Sequence, residues 1–334
     1  MTTVTNGIRE LTFGQAIKEA LAEELRRDPR VFIIGEDIAE AGTAFKVLLG
    51  LVDEFGPQRV IDSPISEPGI TGIGVGAAMT GMRPVVDIMF GDFSTLVMDQ
   101  MVNQAAKIHY MSGGKLTAPM VLRTTMGAGR RSAAQHSQSL HAWFAHIPGL
   151  KVVLPATPYD AKGLLKSAIR DDNPVVFMED KMMYQTNKGP VPEEEYTIPL
   201  GVADIKRFGS DITLVATSSM VLVALEAANI LEDLGISAEV VDPRTLFPLD
   251  KQTLIESAKK TSRAIVIDEG YERYGVTAEL SAVIADGAFY YLDAPVKRLG
   301  AMDVPIPFSP VLEDRTIPSP VAVVDLAKAL CGRT

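Results

Sequence analysis

Acid–base chemistry needs carboxylates, imidazoles or thiols in special settings, and two stretches of this sequence concentrate such groups. The first is Ser63-Pro-Ile-Ser-Glu67-Pro-Gly-Ile-Thr-Gly-Ile-Gly-Val-Gly-Ala-Ala-Met-Thr-Gly81, which gathers one carboxylate, two prolines and five glycines around a turn. Val60 and Ile61 read as the end of a strand, Ser66 as an N-cap, and Pro68 as a first-turn residue whose missing N–H breaks no helical bond. Glu67 is thereby placed at a strand-to-helix junction. A carboxylate there is either a helix-end group favoured by the dipole or a proton-handling group, and the residues alone leave both open. Gly72, Gly74, Gly76 and Gly81 give the following helix poor intrinsic propensity, which predicts close packing of another backbone, within the chain or between subunits.

The second stretch, Gln135-His-Ser-Gln-Ser-Leu-His-Ala-Trp-Phe-Ala-His146, holds His136, His141 and His146, three of the four histidines; the fourth is His109. A zinc site is one reading, but there is no His-Glu-x-x-His spacing and no carboxylate between His136 and His146. The alternative for His141 and His146 is packing beside Trp143 and Phe144 with capped ring nitrogens. His136 follows the small-residue loop Gly127-Ala-Gly-Arg-Arg-Ser-Ala-Ala-Gln135, a setting where functional groups concentrate, and proton transfer is its expected role. Phe93, after an apolar strand, reads as core from its context alone. No Gly-x-Ser-x-Gly elbow occurs, and the glycines of 72–76 lie inside the helix rather than in the turn that a dinucleotide motif requires. Gly113-Gly114-Lys115 lacks the rest of a P-loop.

These groups need a scaffold, and 334 residues, 47% of them apolar, suffice for two domains with full cores. A formal charge of −10 and a pI near 5.0 argue against nucleic acid, because phosphate contacts need clustered Lys and Arg. The lone Cys331 excludes an internal disulfide and a cysteine-based structural zinc site, and suits a reducing compartment. No apolar run reaches membrane-span length, and the residues from Met1 to Gly7 show neither a signal-peptide nor a presequence pattern. A soluble cytoplasmic protein without a membrane segment is the expectation.

Leu11 to Arg27 reads as an amphipathic helix capped by Thr12 and stopped by Asp28-Pro29, and Val31 to Gly35 as a buried strand ending in Glu36 and Asp37 at a crevice. Arg83 to Phe90, Pro119 to Thr125, Lys151 to Pro155 and Pro174 to Glu179 read as further strands, with helices at Ser94 to Tyr110 and Tyr159 to Asp171. Alternation of this kind predicts an α/β fold with a doubly wound parallel sheet. Gln185 to Pro199, with Gly-Pro-Val-Pro-Glu-Glu-Glu, reads as an exposed linker. Beyond it, strands at Asp211 to Thr217, Ala238 to Asp242, Arg263 to Asp268 and Pro295 to Leu299 alternate with helices in a second, smaller α/β domain. That half shows no polar constellation and reads as structural or partner-binding.

Four motifs then become recognisable: Ser63-Pro-Ile-Ser-Glu-Pro-Gly69, Gln135-His-Ser-Gln-Ser139, His146-Ile-Pro-Gly-Leu-Lys-Val-Val153 and the run from Asp160 to Pro174. In register over nearly the whole chain, with Asp242-Pro-Arg-Thr245, they resemble the β subunit of the thiamine-diphosphate-dependent component of 2-oxo acid dehydrogenase complexes. The resemblance implies a transketolase-like pyrimidine-binding domain at 1–187, a linker at 188–200 and a transketolase C-terminal-like domain at 201–334. It implies that Glu67 hydrogen-bonds the aminopyrimidine ring of thiamine diphosphate and promotes the tautomer that takes the thiazolium proton. Phe93 and Ile65 would contact the pyrimidine, and His136 would handle protons when lipoyl is reduced and acylated. Met120, Ala168, Ile169, Asp171 and Asn173 match a loop that holds potassium in relatives, mainly through backbone oxygens, an ordinary helix end being the alternative.

Neither Gly-Asp-Gly nor Asn-Asn occurs in the sequence, so the usual diphosphate and magnesium ligands are missing from this chain. The resemblance supplies the reason: two α and two β chains assemble, the α subunit holds magnesium and the diphosphate, and the acyl group passes to a lipoyl acyltransferase. Pyruvate, branched-chain 2-oxo acids and acetoin all fit the pattern, and His146-Ile-Pro-Gly with Tyr196-Thr-Ile-Pro leans towards acetoin. A homomeric transketolase-like enzyme and a non-catalytic scaffold docking the acyltransferase are the other readings. The missing diphosphate motif argues against the first, and the joint presence of Glu67, Phe93 and His136 against the second.

Overall fold

Thr12 closes one element and opens the next. It ends a strand, and its hydroxyl accepts from the Gln15 N–H while the Gln15 side chain accepts from the Thr12 N–H, a complete capping box. The structure, a computed structural model, describes residues 7–332; residues 1–6, read above for targeting signals, lie outside the described residues. By its contact pattern the chain forms two units, one running through Met126 and resuming at Trp143–Leu200, the other comprising Gly127–Ala142 and the chain from Gly201.

Through Pro192 the strands are β1 (Ile8–Thr12), β2 (Val31–Gly35), β3 (Val60–Asp62), β4 (Arg83–Ile88), β5 (Val121–Met126), β6 (Lys151–Val153), β7 (Val175–Asp180) and β8 (Lys188–Pro192). The helices are α1 (Phe13–Arg27), α2 (Leu51–Phe55), α3 (Glu67–Met79), α4 (Ile108–Met111), α5 (His141–Ala145), α6 (Pro158–Arg170) and α7 (Met183–Thr186). In the first unit β6-β7-β5-β4-β2-β3 lie side by side, all parallel. Alternate strand residues face opposite layers. Ile33, Val85, Val121 and Val175 share a core with Ile17, Leu21, Leu164 and Leu165 of α1 and α6, while Val86 faces α3. A Cβ on Gly74 would lie 2.4 Å from the Val86 Cγ2, so this glycine is there to let helix and sheet approach. A Cβ on Gly76 or Gly81 would meet nothing within 4 Å in this chain.

Two stretches differ from the sequence reading. Ser94 to Tyr110 is not one helix but a 3-10 turn at Gly91–Val97, a π-helical turn at Asp99–Ala105 and α4. Thr95, Val97, Val102 and Asn103 are weak helix formers, and burial of Val97, Met101 and Ala105 decides the winding instead. The stretch read as an exposed linker starts within α7, continues into β8, antiparallel to β1, and buries Val191 and Ile198. Ile198 donates to Gly163 O at 3.1 Å, which anchors this polar segment on α6.

The second unit contains β9 (Asp204–Arg207), β10 (Ile212–Ala216), β11 (Ala238–Asp242), β12 (Thr245–Phe247), β13 (Ala264–Tyr271) and β14 (Lys297–Ala301). Its helices are α8 (Met220–Asp233), α9 (Lys251–Thr261), α10 (Val276–Gly287), α11 (Pro310–Glu313) and α12 (Pro320–Leu330). The sheet order is β14-β13-β10-β11-β9, parallel except for the edge strand β9. Val215, Val241 and Val266 pack on Leu254, Ala258, Leu280 and Ile284. Among the described residues no helix is long and apolar enough to cross a membrane.

Candidate active site

β2 and β4 are neighbours, yet the chain leaves β2 towards β3 and leaves β4 towards β5. This is a topological switch point, and open α/β sheets bind ligands in the crevice beyond the carboxyl ends of such strands. The loop after β2 is tied to β3 by the Ala39 N–H on Asp62 Oδ1 at 2.8 Å and the Ser63 N–H on Gly35 O at 2.9 Å. Glu67 is the first residue of α3, buried at 8% exposure, with Pro68 beside it in the first turn. Ser66 precedes the helix but makes no side-chain cap, contrary to its expected role; its carbonyl accepts from the Ile70 N–H at 2.8 Å. Ile65, by contrast, is 74% exposed, an apolar side chain beside a buried carboxylate.

Phe93 sits in the 3-10 turn that follows β4, half-buried and edge-on to Phe90 with ring centroids 5.9 Å apart. Phe90 meets Phe45 at 5.4 Å, and Phe45 meets Tyr184 at 5.4 Å. The Thr125 hydroxyl donates to Met89 O at 3.0 Å and holds the start of the turn against β5. Ile65, Glu67 and Phe93 thus follow β3 and β4, the strands on either side of β2.

Sequence reasoning left Glu36 out of the site. It follows β2, half-buried, and its carboxyl is raised, first by burial and then by the negative charges of Asp37 and Glu67. Two acids ending an apolar strand were the available signal. Behind the site, Arg123 of β5 grips Glu179 of β7 in a two-bond fork, 2.7 Å on each arm, and also binds Asp87 of β4 and, at 3.2 Å, the Tyr184 hydroxyl. All four side chains are buried. The three strands are thereby cross-linked within the sheet, and nothing in the hydrophobic pattern distinguishes these polar positions from core.

His136 is half-buried in the second unit, in the loop that the structure assigns to that unit. His141 is wholly buried, with Nε2 2.9 Å from Asp268 Oδ2 and no hydrogen-bond partner at Nδ1, so one ring nitrogen is capped rather than both. His146 and His109 are exposed, and His109 Nδ1 lies 3.0 Å from Leu116 O. Among the described residues no three His, Cys, Asp or Glu side chains gather as metal ligands. The Asp268 cluster also corrects the reading of the second half as lacking a polar constellation; its histidine comes from before the boundary drawn in sequence.

Met120, Ala168 and Ile169 are buried, and Asp171 and Asn173 follow the end of α6. The oxygens of Met120, Ile169 and Asp171 are already engaged. Met120 O accepts from the Val175 N–H at 2.9 Å, while Ile169 O and Asp171 O accept from Arg83 Nη1 at 3.1 and 2.9 Å. The Asp171 carboxylate turns away to Lys151, 2.5 Å, and to the Asn173 N–H, 2.8 Å. Burial opposes its ionisation, but these donors outweigh it and hold the carboxyl below its ordinary range. Each carbonyl keeps a second lone pair, so the oxygen set still suits a hard monovalent cation, although Arg83 places positive charge beside it.

For the cofactor the fit rests on a buried carboxylate at a helix N-terminus in a switch-point crevice, with apolar Ile65 and aromatic Phe93 on the flanking loops. That is a donor set for a flat, polar-edged ring. Residues 9–187 match the transketolase pyrimidine binding domain and residues 201–323 the transketolase C-terminal domain. The β subunit of acetoin:2,6-dichlorophenolindophenol oxidoreductase of Bacillus subtilis is 50% identical, covering 97% of this chain and 98% of that protein. The pyruvate dehydrogenase E1 component β subunit of Rhizobium meliloti is 47% identical over 96% of this chain and 70% of its own length. The 2-oxoisovalerate dehydrogenase β subunit of Bacillus subtilis is 46% identical over 91% and 93%. A split-gene transketolase solved as an inactive β4 tetramer shares the fold, with a TM-score of 0.75, 23% identity, and 96% and 98% coverage. The chain belongs to the transketolase-like β subunits of the 2-oxo acid and acetoin dehydrogenases.

Proposed function

We propose that this chain is the β subunit of a thiamine-diphosphate-dependent component that decarboxylates a 2-oxo acid, pyruvate or a branched-chain acid, and passes the acyl group to lipoyl on an acyltransferase. The observation that carries the reading is the buried Glu67 carboxylate at the first position of α3, beside the raised carboxyl of Glu36. Thiamine diphosphate, when bound, supplies a nucleophilic carbon and takes up the electron pair left when carbon dioxide departs. Glu67 would hold the ring nitrogen of its aminopyrimidine, and Ile65 and Phe93 would contact the ring within the 1–187 domain. The 201–334 domain would be the transketolase C-terminal-like part.

His136 would serve the transfer to lipoyl. In that step the S–S bond would break and one sulfur would bond to the acyl carbon, which would give up two electrons to the disulfide and part from the cofactor, the electron pair of that broken bond staying with the cofactor. The other sulfur leaves and takes a proton from His136, becoming a thiol. Magnesium and the diphosphate would be held by an α subunit in an assembly of two α and two β chains, because this sequence lacks Gly-Asp-Gly and Asn-Asn. Met120, Ala168, Ile169, Asp171 and Asn173 would hold a potassium ion through free carbonyl lone pairs. Acetoin is the second substrate reading, supported by the 50% identity to the Bacillus acetoin protein.

Calorimetry of thiamine diphosphate with magnesium tests the shared site, first on this chain and then on its mixture with the α chain. Tight binding in the mixture alone is expected. Tight binding by the isolated chain would overturn the need for α, and a substrate screen on the mixture separates 2-oxo acids from acetoin.

A further inference from the structure

Three donors converge on one buried carboxylate in the second unit. Asp268 Oδ1 accepts from the Thr217 hydroxyl, and Oδ2 accepts from the Gly270 N–H at 2.8 Å and faces His141 Nε2 at 2.9 Å. Burial alone would push the Asp268 carboxyl up, but His141, Thr217 and Gly270 hold it below its ordinary range. A Cβ on Gly270 would lie 2.6 Å from Asp268 Oδ2 and 3.2 Å from His141 Cε1, so only glycine fits beside the pair.

His141 ends the loop that carries His136, and the start of the same loop is pinned in the same way. The Gly129 N–H donates to Glu313 Oε1 at 2.6 Å, and Arg131 Nη1 donates to Glu313 Oε2 at 2.8 Å and Asp314 Oδ1 at 2.6 Å. Glu313, like Asp268, is wholly buried. Between the pins, Arg131 (φ 61°) and Ala133 (φ 58°) adopt the left-handed conformation, which non-glycine residues keep only where the surroundings enforce it. Ser137, Ser139 and Leu140 are buried, so the segment after His136 has little room to shift. A buried acidic side chain stabilises little more than an apolar residue of the same volume would, so a wholly buried acid, Asp268 at one end and Glu313 at the other, holding both ends of one loop asks for a reason other than stability.

We infer that His141 and Asp268, opposite the Arg131–Glu313 pair, are positioning residues that fix the His136 imidazole for proton delivery to the departing lipoyl sulfur. This rests on the proposed role of His136. The test uses the assembled α–β enzyme carrying H136A, H141Q, D268N, G270A or H136A/D268N. Each variant is assayed with lipoamide and, separately, with 2,6-dichlorophenolindophenol as the electron acceptor, which needs no sulfur protonation. H141Q, D268N and G270A should lower the lipoamide-linked kcat about tenfold to a hundredfold while dye reduction and the KM for the 2-oxo acid stay within about twofold. H136A/D268N should be no slower than H136A, and amide exchange across 132–140 should rise in each positioning variant.

Equal losses with both acceptors, or a double variant slower by the product of the single effects, would make the pair merely structural and overturn the inference. So would normal lipoamide turnover in H141Q and G270A when H136A is slow. If H136A itself keeps full lipoamide turnover, the role of His136 falls and the inference falls with it. G270A and H141Q decide the question if D268N does not assemble, since G270A displaces the pair without changing its charge.

Discussion

Glu36, at the end of β2, lies close enough to Glu67, at the start of α3, for the Glu67 charge to add to burial and to Asp37 in raising the Glu36 carboxyl. A carboxyl raised by folding costs stability wherever it must ionise. The penalty is present above its folded pKa and absent below the ordinary value of 4.5. Glu36→Gln should therefore raise Tm at neutral pH, and the gain should vanish as pH falls below that value. Thermal unfolding of both proteins across this range checks the sign, and a gain that grew on acidification would place the repulsion elsewhere.

Glu67→Gln keeps the volume of the side chain and one hydrogen-bonding oxygen but removes the charge. Turnover of the α–β enzyme should fall about 10²- to 10⁴-fold, the usual range for losing an acid–base group. Sedimentation of the assembled enzyme should be unchanged. Wild-type rates in the variant would remove Glu67 from the chemistry.

Arg123 holds two buried carboxylates, Asp87 and Glu179, in one sheet. Burial pushes both carboxyls up despite the guanidinium. Arg123→Met would leave them facing each other without a counter-charge and should cost about 3–5 kcal/mol in urea unfolding. Arg123→Lys should recover only part, since an ammonium cannot make the fork to Glu179.

Potassium held by the carbonyls around the C-terminal end of α6 would bind the folded chain only. Tm should then rise in potassium chloride relative to choline chloride at equal ionic strength, by the equivalent of about 2.7 kcal/mol at a hundred times Kd. Arg83→Met removes the neighbouring positive charge and should tighten the ion's binding. Identical melting in both salts for both proteins would leave Arg83 as the sole cation there.

Asp28 responds to pH with the opposite sign to Glu36. Two bonds from the Arg30 guanidinium, at 3.0 and 2.8 Å, and one from its backbone N–H outweigh burial and bring the Asp28 carboxyl down to about 2. A depressed carboxyl stabilises the fold fully above its ordinary 3.8, and that stabilisation is lost as pH falls towards about 2. Asp28→Asn should be less stable than the parent at pH 7, and the difference should shrink in urea titrations at successively lower pH below 3.8.

The central strands of both sheets, the helices α1, α6, α8, α9 and α10, the two α/β halves and the junction at Glu67 were legible in the linear sequence, because they rest on local periodicity and on the chemistry of Thr12, Pro68 and Gly74; β1, β9, β12 and α12 were not read from it. The broken winding of 91–111 was not, since weak helix formers there follow the burial of Val97, Met101 and Ala105. Nor could local pattern show that Pro-rich 188–192 would pair with Ile8–Thr12, or that residues 127–142 would join the second unit. The approach of Glu36 to Glu67 follows from strand order, which no single segment encodes. His141 meets Asp268 across 127 positions of chain. Local side-chain and backbone preferences are written residue by residue, but the pairing of distant polar groups is decided only when burial forces each of them to find a partner.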